Sequence, residues 1–241
     1  MTRILQALVT RHSSVARAGK FMTLAAAVCV TLTAQSLSGV MARIDRTAPQ
    51  FKSMTADIKR DVHTAIVNDD TLESGTIRFK RVKAGETHAL ITFTGPDAKS
   101  VAFDGATVSL YYPKIKTVQI YNVGDKRSLI DQFLLLGFGA TSAELQAAYD
   151  VAWVGAESIN GKPAGHIQLI PKSKEVLQRL KKAELWIDDA SGVPVQQRFV
   201  TSASGDFMLV TYSGMKANAA ISDGSLKLTY PRGVQIERPQ F

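Results

Sequence analysis

Between Gly75 and Pro113 the chain alternates apolar and polar residues in three runs, Gly75–Arg81, His88–Phe93 and Val101–Pro113, separated by polar or Gly/Pro punctuation. A period of two is the signature of half-buried strands, so three such runs in succession predict a β-meander. In the first run Gly75, Ile77, Phe79 and Arg81 fall on one face, which sets a cation at the end of an apolar stripe. Such a stripe suits a sheet whose inner face holds something greasy with a polar end. Ile77, Phe79, Arg81, Leu90, Phe103 and Leu110 are the candidate contacts on these strands.

The flanking pattern extends the sheet. Val40, Met41, Ile44, Ala48 and Phe51 lie near helical spacing, with Pro49 to end or bend the helix. Ser53–Val67 alternates as a long strand, with a helix as the alternative, and Asn68–Asp70 is a turn. Thr117–Asn122 continues the sheet. Ser128–Gly139 is then apolar nearly all round, and Ser142–Tyr149 follows as a second helical piece. Ser128 or Thr141/Ser142 can cap these pieces, and Asp131 and Glu144 fall in their early turns. Strands resume at Tyr149–Val154, Ala164–Ile170, Lys182–Asp188, Pro194–Val200, Asp206–Tyr212 and Leu226–Pro231, and Gly-containing turns predict antiparallel neighbours throughout.

The expected fold is mainly β (α+β), with about eleven strands and two or three helices. A sheet with one apolar face must close on itself or take helices onto that face. With few helices, themselves greasy, the economical solution is a curved, incompletely closed antiparallel β-barrel with a helical lid. A fully packed core without a cavity fits the same pattern. Leu134, Leu135, Leu136 and Phe138 are candidates for a mobile apolar lid that contacts ligand, with Gly137 and Gly139 as hinges; the same leucines fit a permanent core.

Charge changes the picture only after the N-terminus is considered. The first 38 residues hold Arg3, Arg11, Arg17 and Lys20, no acidic residue, and an apolar run from Phe21 to Ala34. This is the pattern of a secretory signal, so 1–38 is expected to be a signal peptide and 39–241 a single domain in the periplasm. Removing those four cations lowers the formal charge from +8 to +4. Without a long basic run or an aromatic-studded basic patch, nucleic acid is not an expected partner. The single cysteine, Cys29, lies in the leader, so the expected mature domain has no disulfide and no thiolate chemistry.

Candidate catalytic groups are sparse. His63, His88 and His166 are scattered rather than at metal-ligand spacing, and the pairs Asp69–Asp70 and Asp188–Asp189 sit at predicted turns. The sequence contains no Gly-rich phosphate loop, nucleophile elbow or Walker sequence. A non-enzymatic protein without a cofactor is the expectation.

Gly75–Arg81 resembles a segment of the periplasmic outer-membrane lipoprotein carriers, the LolA-like family. The resemblance extends over residues 39–241 through the early helix leading to Phe51, the Asp104-Gly105 to Tyr111-x-Pro113 pattern, Leu169–Lys172, Leu185–Asp188 and Tyr230–Val234. It implies an open barrel with a helical lid that acts as a monomer and carries the acyl chains of lipoproteins or other lipids toward the outer membrane. The implied partners are an acylated lipoprotein or lipid cargo, an inner-membrane release complex and an outer-membrane acceptor. It also implies that Arg81 holds the lid closed by hydrogen bonding. Val82 stands where the family usually has Pro, and Arg78 where an aromatic is common. The alternative function is an envelope-stress or membrane-associated sensing module of the same fold.

Overall fold

The computed structural model describes residues 36–83, 86–124 and 135–239. Helix α1 (Leu37–Thr47) starts where the Ser36 side chain accepts from the Gly39 N–H at 3.2 Å, and it leads into a single 3-10 turn, Ala48–Gln50, that contains Pro49. Ser36 thus satisfies one of the amides that the first helical turn leaves unpaired. Val40, Met41 and Ile44 recur three and four apart, so α1 buries one stripe and leaves Ser38, Ala42, Asp45 and Arg46 exposed.

Twelve strands follow among the described residues. They are β1 (Ser53–Thr64), β2 (Asp69–Lys83), β3 (Glu86–Thr94), β4 (Lys99–Asp104), β5 (Thr107–Tyr112), β6 (Thr117–Asn122), β7 (Tyr149–Ile159), β8 (Lys162–Pro171), β9 (Lys182–Asp188), β10 (Pro194–Val200), β11 (Phe207–Ala217) and β12 (Gln235–Glu237). They form one sheet in the order β12-β6-β5-β4-β3-β2-β1-β11-β10-β9-β8-β7, so two meanders meet at the β1–β11 seam and the sheet does not close. The seam pairs Met54 with Ala217 at one end and His63 with Phe207 at the other. Irregular registers at Thr55/Asp57 in β1, Trp153/Gly155 in β7 and Pro194/Gln196 in β10 are positions where strands bend.

The mainly β class and the single large, unclosed sheet match the expectation, and several details differ. The strand count is twelve rather than about eleven. Pairing is antiparallel except at β12, which runs parallel to β6. The strand expected over Leu226–Pro231 does not form: Asp223–Leu226 is a 3-10 turn, and the free edge of β6 is taken by Gln235–Glu237 instead. Leu226 buries its side chain beside Val82, His88 and Phe103 without joining the sheet. The second helix, α2 (Ser142–Ala148), forms as expected, with a capping box in which Thr141 and Glu144 satisfy each other. A third, α3 (Lys174–Arg179), is capped by Ser173 and buries Val176 where no helix was expected. The expected helical piece over Ser128–Gly139 lies outside the described residues as far as 134, and its last five residues form an irregular turn.

Two apolar clusters lie on the inner face. One joins α1 and α2 to β7–β10 through Val40, Ile44, Leu145, Ile167, Leu185 and Phe199. The other gathers Phe51, Met54, Ile77, Phe79, Phe138 and Tyr212 around β1–β3 and β11.

Candidate ligand-binding site

The register of β1–β3 decides which side chains face inward. Ile77 lies between Ala56 and Ile91, Phe79 between Met54 and Ala89, and Arg81 beside Thr87. Through β4 and β5 the same face carries Phe103 next to Ala89, and Leu110 next to Val101, which itself faces Ile91. Ile77 and Phe79 are buried, whereas Phe103 and Leu110 are half-buried. Leu90 does not join them. It pairs with Arg78 and Ala102 on the opposite face, because side chains alternate and Ala89 and Ile91 hold the inward positions of β3.

A short strap, residues 135–139, crosses this inner face. Leu136 and Phe138 are buried, at 3% and 0% exposure, so the strap fills the face with side chains of its own. The Phe138 ring lies 5.7 Å from Phe51, 5.7 Å from Phe79 and 5.3 Å edge-on from Tyr212, all favourable aromatic separations. Leu136 packs instead in the cluster of α1 and β8–β10, and half-buried Leu135 packs against the aromatic group. Leu134 lies outside the described residues.

Buried backbone must be satisfied, and the strap shows how. The Phe138 N–H donates to the Leu135 carbonyl at 2.7 Å, closing a tight turn. Arg81 donates from its guanidinium to the Phe138 carbonyl at 3.0 Å. Gln197 donates from Nε2 to the Leu136 carbonyl, and Tyr212 donates its hydroxyl to Gln197 Oε1. Two glycines make the path possible. Gly137 (φ +79°) has no room for a Cβ, which would stand 2.7 Å from Pro194 Cγ, and a Cβ on Gly139 (φ +67°) would lie 2.8 Å from the Arg81 guanidinium.

The C-terminal end of the strap is pinned. Ser142 donates from its backbone N–H and its hydroxyl to Asp45 of α1, at 2.7 and 2.6 Å, and these bonds hold the Asp45 carboxyl below the ordinary carboxylate range. Hydrogen bonds from Thr141 lower Glu144, and the nearby Arg81 charge adds to the effect. Burial pushes the Tyr212 phenol up, so it remains a neutral donor. Beside the strap a cleft of about 480 Å³ is bordered by Phe51, Arg81, Thr87, Leu135, Gly139 and Glu144.

Arg81, Phe79, Leu135 and Phe138 therefore meet in space, with Ile77 and Phe103 in or against the same aromatic cluster, whereas Leu136 belongs to the other cluster. Phe51, Gln197 and Tyr212 were not singled out from sequence. A signal existed for two of them: Gln197 is two residues from Phe199 and Tyr212 two from Val210, so each puts a polar group on an apolar stripe.

The site is thus an open sheet whose inner face is crossed by a strap bonded to an arginine of the second strand. Residues 62–214 match the MucB/RseB N-terminal domain, and the chain belongs to that family. Among solved structures it is similar to MucB, with 15% identity, a TM-score of 0.50, and coverage of 83% of this chain and 64% of that one. It is also similar to an uncharacterized conserved protein from Thermus thermophilus, with 13% identity, a TM-score of 0.50, and coverage of 85% and 100%. A LolA superfamily protein from Nitrosomonas europaea aligns at 13% identity and a TM-score of 0.38 over 81% of this chain and 99% of that one. Likeness at these identities concerns the fold alone, and the chain spans about 64% of the MucB chain's length. No curated protein matches it by sequence.

Proposed function

We propose that this chain is a non-enzymatic periplasmic module that binds acyl chains of a lipid or lipoprotein on the inner face now filled by the strap. The observation that carries the reading is the Arg81 bond to the Phe138 carbonyl, with the Phe138 ring enclosed by three others. A buried methylene contributes about 0.8 kcal/mol, so one acyl chain can outweigh a single aromatic plug. The strap is then an internal competitor: cargo binds when it leaves, and the returning strap drives release. Ile77, Phe79, Phe103 and Leu110 are the proposed apolar contacts, Arg81 is the latch, and Leu135, Leu136 and Phe138 are the strap residues that the ligand displaces. Leu134 joins them on sequence grounds alone.

Such binding has two possible outlets. A carrier hands its ligand to an outer-membrane acceptor. A sensing module changes its hold on a membrane-anchored protein, and membership of the MucB/RseB domain family favours this second reading. Native mass spectrometry of protein purified gently from its own envelope tests the shared premise. A stoichiometric acylated ligand supports it, whereas a clean apo mass that also resists loading with fluorescent acyl probes overturns it. Transfer of a loaded probe between vesicle populations then separates carrier from sensor.

A further inference from the structure

The strap meets the inner face with two carbonyl oxygens as well as two side chains. Those of Leu136 and Phe138 are each turned to a protein donor, Gln197 Nε2 and the Arg81 guanidinium. Gln197 is 2% exposed, and its amide has one sensible orientation, because the Tyr212 hydroxyl occupies Oε1 and leaves the NH2 to face the strap. Nothing in the apolar part of the site requires this. Phe199 and Val210, neighbours on the same strands, show what an ordinary inward residue looks like here.

Whatever displaces the strap inherits both donors. A bare hydrocarbon would leave Gln197 Nε2 buried and unpaired, with the full desolvation penalty of a lost partner. An extended peptide would offer carbonyls, but it would also bring N–H groups that need acceptors. The strap hides its own Phe138 N–H in a turn onto Leu135, and Gln197 Oε1 is already engaged by Tyr212. A ligand with acceptors and no donors fits this balance, and carboxylic esters have that character. The two strap carbonyls belong to residues two apart, at most about 7 Å along an extended chain, a spacing that two esters on one glycerol unit can span.

We propose that Gln197 and Arg81 form a carbonyl-recognition pair, and that the ligand of this face is an acyl ester lipid whose ester carbonyls replace those of Leu136 and Phe138. One acyl chain then takes the place of the Phe138 ring among Phe51, Phe79 and Tyr212. Gln197 selects the linkage and the aromatic rings accommodate the chain. This inference rests on the acyl-binding reading above.

The test uses two water-soluble short-chain phosphatidylcholines of equal chain length, one with ester and one with ether linkages, titrated into the full chain. The ester is expected to bind about tenfold more tightly, the factor that goes with one well-made buried hydrogen bond. In Gln197→Leu/Tyr212→Phe, which removes both polar partners together so that neither is stranded, the preference should fall to about threefold. In Arg81→Leu, at a less buried position, it should also shrink, which keeps the test informative if the double variant fails to fold. Equal binding of ester and ether by the wild-type chain overturns the inference and leaves acyl binding standing. Binding of neither probe removes acyl binding and this inference together. Tighter, competitive binding of an apolar peptide with the strap sequence 135–139 overturns it in favour of a peptide ligand.

Discussion

The two meanders that meet at the β1–β11 seam cover their inner faces differently. In the C-terminal one, Ile167, Leu169, Ala183, Leu185 and Ile187 have no exposed surface, sealed beneath Val40 and Ile44 of α1 and Leu136 of the strap. In the N-terminal one, the inward residues Val101, Phe103, Val108 and Leu110 of β4 and β5 are only half-buried. Same-sheet strands with similar apolar content thus serve two purposes: the C-terminal half is a finished core and supplies stability, and the outer strands β4 and β5 of the other half keep apolar surface within reach of solvent. The strap lies where these regimes adjoin, with Leu136 committed to the first cluster and Phe138 to the second.

The largest expected effect comes from the sealed half. Leu185→Ala should reduce unfolding free energy by about 3–4 kcal/mol, since a rigid, fully buried site leaves a cavity. Urea denaturation measures this, and a loss no greater than that of Leu110→Ala would break the comparison. Phe138→Ala, at the junction, should cost about 3 kcal/mol by the same measurement and also speed the uptake of a fluorescent acyl probe. Slower uptake in this variant would mean that the ring belongs to the ligand site rather than blocking it.

Smaller effects probe the latch. Gly139→Ala combines a left-handed backbone with a Cβ driven against Arg81, and should lower stability by about 1–2 kcal/mol in thermal unfolding. Arg81→Leu should cost about 1 kcal/mol and raise probe uptake several-fold; wild-type exchange kinetics in this variant would remove the latch from the account. Leu110→Ala, on the half-buried face, should cost about 1 kcal/mol or less.

The smallest effect is electrostatic. On the inner face of the N-terminal meander Glu73 lies between Arg60 and Lys99, with the Arg60 guanidinium 4.5 Å from the Phe93 ring centre. Burial pushes the Glu73 carboxyl up, but the Lys99 hydrogen bond and the Arg60 charge more than reverse this and hold it below 4.5, its ordinary value. The stabilisation is therefore complete above about pH 4.5 and is lost as pH falls through the lowered value in the folded protein. Urea midpoints measured from pH 7 down to pH 3 should decline less steeply in Glu73→Gln; identical curves would remove Glu73 from the acid response.

Much of this was readable from the chain, for physical reasons that also explain the gaps. Period-two alternation located nearly every long strand, and the parity of Ile77, Phe79 and Arg81 on β2 was right because an isolated strand carries its own parity. Leu90 was misplaced because His88–Phe93 is apolar at both Ala89 and Leu90, and only the β2–β3 register decides between them. Helix α3 has six residues and too little periodicity to stand out, and it depends on the Ser173 cap and on burial of Val176. β12 has three residues and exists through its pairing with β6, which no local pattern encodes. At the site, Arg81 was visible as a cation closing an apolar stripe. Gln197 was hidden beside Gln196, since two adjacent glutamines look equivalent until the sheet turns one of them inward.

The seam has a further consequence, in time rather than in space. The Lys52 N–H is bonded to the Asn218 side chain across 166 positions of sequence, and Asn218 in turn donates its own N–H to the Ser53 carbonyl. Every other neighbouring pair of long strands within a meander is adjacent in the chain and can zip as soon as its hairpin turn exists, but β1 must wait for β11. Contacts of such separation slow folding. Each meander can therefore zip on its own, and the inner face that the strap crosses is complete only once Phe207–Ala217 has joined β1.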